Sequence, residues 1–289
     1  MKQFKCSNCG GQLEIGGAGG LVCPYCGAKT FMSDKDFRGN SEFRKLLLSY
    51  YKAEAEKKEF DYSRDILWHC SGRDSFVLES GQELNIDYME KYDYNGVCCY
   101  VAKESAVYVF NSISGSERFL SNLASLSFPQ ADTKLPRCFP SLKLNVRLKG
   151  SGAVLAFVRR PNFYPAELFS PLPSTHLAWL ISRMENICCA LAFSGLEHGA
   201  ISPDSIWINP ETHEGALFGD WRFVKRSENN YGDLWALRKT AIRLAENTRS
   251  PKEMYRFLNS KPAKTAFDDF ELWDGVIEDG FGGHKFVKM

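Results

Sequence analysis

Between residues 66 and 158 the apolar positions come in short β-rich runs, most of them bounded by turn residues. Phe76–Leu78, Val97–Val101, Val107–Phe110, Leu142–Val146 and Val154–Val158 each read as a strand. One helical stretch interrupts them, Ser116 to Leu126, with Phe119, Leu120, Leu123 and Leu126 on one face. After Pro165 the period changes to that of a helix. Leu177, Leu180, Ile181, Met184, Ile187, Cys188 and Leu191 form an apolar stripe over His176 to Phe193. Residues 251–274 read as two short helices, with Pro251 in the first turn of one and Phe267–Trp273 in the other. Upstream, Asn40 or Ser41 suits the cap of a helix running from Glu42 to Glu59. Its stripe of Phe43, Leu46, Leu47, Tyr50 and Tyr51 is expected to pack on the domain that follows. Strands first and helices after indicate an α+β fold.

Composition narrows the class. The chain has 289 residues, 44% hydrophobic and 25% charged, as in globular proteins. Lys plus Arg is 36 and Asp plus Glu is 35, a net charge of +1 that gives no general attraction to nucleic acid or anionic membrane. No apolar run reaches the roughly 20 residues of a membrane span, and the first residues lack the apolar core of a signal peptide. No membrane association and a cytoplasmic location are expected, so a disulfide framework is not. Six of the ten cysteines, Cys70, Cys98, Cys99, Cys138, Cys188 and Cys189, are expected as buried free thiols that behave as small hydrophobes. The tail Gly280–Met289 is glycine-rich and reads as a flexible end, with an anion cradle as the alternative.

The other four cysteines carry chemistry. Cys6-Ser7-Asn8-Cys9 and Cys23-Pro24-Tyr25-Cys26 are two CxxC pairs, each followed by a glycine, with 13 residues between the pairs that include a run of glycines. Two thiolates spaced by two residues share one tetrahedral ion when the backbone turns tightly, and the following glycine tolerates that turn. Two knuckles joined by a hairpin close a four-thiolate shell with no open position for water, which fits a structural metal and not a catalytic one. Cys6, Cys9, Cys23 and Cys26 are therefore the expected zinc ligands. The segment resembles a zinc ribbon, a module that binds nucleic acid or protein. With Lys2, Lys5 and Lys29 as its nearby cations, protein contact or a plain structural role is favoured over nucleic acid.

A second constellation lies between the long helix and the one after it. It reads His198-Gly199-Ala200-Ile201-Ser202-Pro203-Asp204-Ser205-Ile206-Trp207-Ile208, then Ala216-Leu217-Phe218-Gly219-Asp220-Trp221, then Tyr231-Gly232-Asp233-Leu234-Trp235. This block resembles the catalytic core of the protein-kinase family, in which His-x-Asp, an Asn five residues on, and Asp-Phe-Gly follow a long helix. The resemblance, which covers about residues 66–260, implies a bilobal protein-kinase-like fold behind a small zinc ribbon. With the ribbon over 1–30 and a helical connector over 31–60, the chain is expected to divide further into a strand-rich N-lobe over 61–160 and a helical C-lobe and tail over 161–289. It places His198 as a structural loop residue, Asp220 at the magnesium-binding position, and Asp233 as the brace of the loop backbone. Ribbon, reduced kinase-like domain and tail together also look similar to phage and prophage proteins.

The departures bear on activity. Phosphoryl transfer needs a carboxylate to accept the substrate proton, an Asn and an Asp on magnesium, and a Lys–Glu pair on the phosphates. Ala200 stands where the proton-accepting Asp is required, and Ser205 stands where the Asn is. Trp221 and Arg222 follow Asp220. Phe110 or Asn111 occupies the natural lysine position, leaving Lys103, with Glu117 as its partner, as the substitute. Gly72–Ser75 is a poor stand-in for a glycine-rich loop, and 12 residues separate Asp220 from Asp233. Asp204 and Asn209 share the Asp-x-x-x-x-Asn spacing, but that register would move the apolar Ile206–Ile208 strand into the loop. The leading expectation is a pseudokinase acting as an interaction or regulatory scaffold with a protein partner. The alternatives are an atypical ATP- and magnesium-dependent phosphotransferase, using Asp220 with Asp204 as a displaced carboxylate, and a nucleic-acid-associated protein acting through the ribbon. The remaining histidines and the tryptophans are expected in structural roles.

Overall fold

The computed structural model describes residues 5–6, 8–11, 13–15, 21–30, 60–129, 135–245 and 250–283. The expected connector helix over 42–59 and the tail beyond residue 283 lie outside the described residues. The amino-terminal segment forms a small antiparallel sheet of β1 (Glu14–Ile15), β2 (Leu21–Val22) and β3 (Lys29–Thr30), in that order.

The fold is mixed α+β. Its largest unit is a six-stranded antiparallel sheet of β4 (Gly72–Val77), β5 (Glu83–Asp93), β6 (Val97–Ala102), β7 (Ser105–Phe110), β8 (Leu142–Arg147) and β9 (Ala153–Val158), in the order β4-β5-β6-β7-β9-β8. The two edges meet at one end: Leu78 bridges Leu148, and the Lys149 N–H donates to the Val77 carbonyl (2.8 Å). The sheet therefore curls and carries two cores. Side chains alternate across a strand, so Val107 joins Ile86, Tyr100, Val154 and Ala156 on one face. Its neighbours Ala106 and Tyr108 turn to the other face, where they join Phe157 and the helix α1 (Ile113–Leu123) through Phe119 and Leu123.

Helix α1 starts three residues earlier than the apolar stripe predicts because the Ser112 hydroxyl caps it, accepting from the Gly115 N–H (3.2 Å). The longest strand, β5, escapes the sequence reading. Its charged residues hide the alternation, and a bulge between Tyr88 and Glu90 shifts its phase midway. Gly72–Ser75 belongs to strand β4, so it does not form a glycine-rich loop.

The helical part follows. Helix α2 (Ser174–Phe193) leads to β11 (Leu196–Glu197), which pairs with β14 (Lys225–Arg226). Between these two lie β12 (Ile206–Asn209) and β13 (Glu214–Leu217), joined by β10 (Tyr164–Pro165) into a small antiparallel sheet. Helices α3 (Tyr231–Leu244), α4 (Lys252–Asn259) and α5 (Ala266–Phe281) complete the chain. Pro251 sits at the cap of α4 rather than in its first turn. Helix α5 runs well past the expected 274, because Val276 and Ile277 continue its apolar side and Gly282, at φ 68°, is the left-handed residue that stops it. Gly280 and Phe281 are thus helical, not tail.

Two buried ion pairs fix the arrangement. Arg159, at the end of β9, pairs with Asp65 and donates to the Ala102 carbonyl (2.8 Å) and the Lys103 carbonyl. Tyr164 also donates to Asp65, tying the strand-rich and helical parts to the segment before β4. Arg238 in α3 makes a bidentate pair with Asp269 in α5 (2.7 and 2.9 Å), and both side chains are fully buried. Beside this pair, Glu185 of α2 is buried without a hydrogen bond, and burial pushes its carboxyl up to about 9.

Trp207, Trp221 and Trp273 lie in the core, while Trp68, Trp179 and Trp235 are half-buried. Cys99 and Cys188 are buried, and Cys98, Cys138 and Cys189 are half-buried. Cys70 departs from expectation: it is exposed, on the segment that enters β4. Among the described residues no helix is long and apolar enough to cross a membrane.

Candidate functional site

The four cysteines predicted as metal ligands converge. The two knuckles fold alike: the Gly10 N–H donates to the Cys6 carbonyl (2.8 Å), and the Gly27 N–H to the Cys23 carbonyl (2.9 Å). Both glycines have a positive φ, 73° and 70°, as the spacing requires. The Sγ atoms of Cys6 and Cys26 are 3.6 Å apart, those of Cys9 and Cys23 are 3.4 Å apart, and all four lie within 4.8 Å of one another. A tetrahedron with metal–sulfur bonds of about 2.3 Å has sulfurs about 3.8 Å apart, so the cluster fits an ion such as zinc. The Asn8 side-chain amide points at the Cys26 sulfur (3.9 Å). No disulfide joins any described cysteine.

The second constellation is built where β11 runs out. Gly199, at φ 76°, reverses the chain, and the two amides on either side of that turn face Asp233 in the first turn of α3. Its carboxylate accepts from the His198 N–H (2.6 Å) and the Gly199 N–H (2.8 Å). Burial raises Asp233 to about 6, against the pull of these two amides. His198 is fully buried, its Nδ1 accepts from the Ala200 N–H (3.3 Å), and its ring meets Trp221 edge-on at 4.9 Å. Burial pushes His198 down to about 3, so the ring is neutral and serves the loop's shape. The Ala200 side chain brings no polar atom to the site. The Ser205 hydroxyl is used within its own turn, donating to the Ser202 carbonyl and accepting from the Ser202 N–H, both at 2.8 Å.

Asp220 follows β13 and caps a short 3-10 turn, accepting from the Arg222 N–H (3.0 Å). The Arg222 guanidinium then folds back over the same carboxylate: Nε lies 3.0 and 3.1 Å from its two oxygens and Nη2 2.7 Å from Oδ2. Asp220 is 2% exposed and Arg222 17%. Above them hangs the turn between β5 and β6. Asn95 and Gly96 both have positive φ, 55° and 90°, the geometry of a two-residue hairpin turn. The Tyr94 hydroxyl donates to Asp204 Oδ2 at 2.5 Å. Cys99 and Tyr108 lie in the core on the α1 side of the sheet, both buried, and burial drives both acids well above their ordinary range.

Lys103 and Glu117 are not brought together. Lys103 is exposed in the turn between β6 and β7, Glu117 is exposed on α1, and no ion pair joins them. Phe110 is buried against Phe119 instead of facing the cleft as a charge. Asn209 accepts from Glu211 and Thr212 and donates to the Pro161 carbonyl (3.0 Å), so it turns the chain between β12 and β13. Arg222 and Tyr94 are the participants that the sequence reading missed. The available signals were an arginine two residues after an acid and an Asn-Gly turn between apolar runs. No family model matches this chain, and no curated protein is similar to it.

Proposed function

We propose that this chain is a catalytically degenerate protein-kinase-like protein, a pseudokinase that acts as an interaction or regulatory scaffold behind a structural zinc ribbon. The single observation that carries this reading is the state of Asp220. The carboxylate that would hold magnesium is instead saturated by Arg222 in a poorly solvated ion pair. Ala200 supports it further, since a methyl group can neither accept a proton nor orient a hydroxyl. The likeness to the kinase core is supported by Asp233 bonding the two amides at His198 and Gly199, and by a helix that follows β7 and packs beneath the sheet. In this reading the chain divides into a ribbon over 1–30, a connector over 31–60, a strand-rich lobe over 61–160 and a helical lobe from 161.

Zinc is the ion proposed for Cys6, Cys9, Cys23 and Cys26. Its chemistry there is structural: four thiolates neutralise and surround it, and its binding energy holds together a segment too short to bury a core. The ribbon and the helical lobe are the surfaces proposed to meet a protein partner.

The test is γ-phosphoryl transfer by the zinc-loaded chain with magnesium and ATP, to itself and to general protein substrates. The reading predicts no turnover above background. Turnover abolished by both Asp220→Asn and Asp204→Asn would establish the phosphotransferase alternative in its place.

A further inference from the structure

We propose that Arg222, Asp220, Tyr94 and Asp204 form a latch that holds the strand-rich and helical parts together without any ligand. The inference rests on the reading above only in treating the cleft as a degenerate nucleotide site; the contacts themselves stand apart from it.

The tip of the β5–β6 hairpin is gripped at two places by residues 18 apart in the chain. At the first, Arg222 Nη2 reaches the Tyr94 carbonyl (2.7 Å) and the Asn95 carbonyl (3.2 Å) while its other contacts stay on Asp220. At the second, the Tyr94 hydroxyl is held by Asp204. Asp220 is the fixed point. Its carboxylate accepts from both the Arg222 backbone N–H and Nε, which sets the direction in which Nη2 points. Charge-assisted bonds of this kind are about twice as strong as neutral ones, and more so where water is scarce.

The grip extends on both sides. From the tip, the Gly96 carbonyl accepts the Asn111 N–H (3.1 Å) just ahead of α1. From the far side of α1, the Asn122 side chain donates to the carbonyls of Trp221 (2.8 Å) and Val224 (3.3 Å). The turn after Asp220, the hairpin tip and α1 are thus bonded pairwise in a closed ring. A hairpin free to lift would break the Arg222 and Tyr94 limbs together. A metal ion on Asp220 would have to displace Arg222 first. The retained Asp220 therefore has a use that needs no metal, as the anchor of the arginine.

Hydrogen–deuterium exchange on the full zinc-loaded chain tests the latch. Arg222→Ala is expected to speed exchange of the Tyr94 and Asn111 amides by about tenfold, with β7 and β9 unchanged, as local opening predicts. Tyr94→Phe removes the hydroxyl's bond and Asp204→Asn reduces it to a neutral one; both keep the shape, and both are expected to speed the same amides severalfold. They give the readout should Arg222→Ala fail to fold. Exchange at these amides within twofold of the parent in every folded variant would overturn the latch. Phosphotransfer measured on the same samples separates the two ideas. Turnover by the parent chain would overturn the pseudokinase reading and leave the latch standing, and unchanged exchange would do the reverse.

Discussion

The ribbon and the cleft both contain residue types that can ligate a metal, but among the described residues only the four cysteines are gathered within reach of one ion. In the ribbon the four sulfurs face one another, and among the described residues the Asn8 amide is directed at one of them. In the cleft each carboxylate has a partner from the protein itself, Arg222 on Asp220 and Tyr94 on Asp204. Four convergent thiolates therefore point to a bound ion in one region, and two carboxylates already paired within the protein point to self-closure in the other. Ligand atom, ligand number and neighbours all discriminate the two.

The comparison breaks most visibly if the ribbon folds without metal. Structural zinc in such segments contributes about 10–16 kcal/mol at neutral pH. Metal analysis should find one zinc per chain, and Cys6→Ser with Cys23→Ser should abolish it together with the order of residues 8–11 and 21–30 in NMR spectra. A fully ordered metal-free ribbon would contradict the assignment.

The next effect lies behind the cleft. Removing one partner of a buried pair strands the other charge at a cost of about 3–5 kcal/mol, so Asp269→Ala should destabilise the chain by that amount in urea unfolding. A loss below about 1 kcal/mol would mean that Arg238 finds water or another acid. Glu185, next to that pair, gives a pH signature. Folded, it keeps its proton up to about 9; unfolded, it releases it near 4.5. Its contribution is complete below the lower value and is lost as pH rises toward the upper one, by at most about 1.4 kcal/mol per unit. Glu185→Gln should remove that alkaline loss, visible as a flatter plot of melting temperature between pH 5 and 9. Parallel plots for parent and variant would rule the assignment out.

The smallest expected effect is at the latch's turn. A Cβ on Gly96 would meet the Asn111 side chain at 2.9 Å and sit at φ 90°. Gly96→Ala should therefore cost about 1–3 kcal/mol, measured by thermal unfolding, with faster exchange confined to the hairpin. A neutral substitution would show that the turn relaxes without strain.

Much of this was legible in the sequence, for reasons specific to each part. The cysteine knuckles were, because metal geometry fixes both spacing and glycine. The short strands at Ile206–Asn209 and Glu214–Leu217 were, because their apolar runs stand out between loop residues. Strand β5 was not, because a bulge changes its phase among charged residues. The extent of α5 was not, because Gly275 and Gly280 suggest breaks that its packing overrides. The partnership of Arg222 with the hairpin tip was least legible. It joins residues more than 120 positions apart, and no local pattern encodes a contact made only after the sheet and the helices have docked.

The most direct test of the central claim is calorimetric titration of magnesium and ATP into the zinc-loaded chain, beside Asp220→Asn. The account predicts no detectable heat of binding up to millimolar nucleotide, because Arg222 and Tyr94 already engage the acids that a metal–nucleotide complex requires. Micromolar binding by the parent chain, lost in Asp220→Asn, would contradict it.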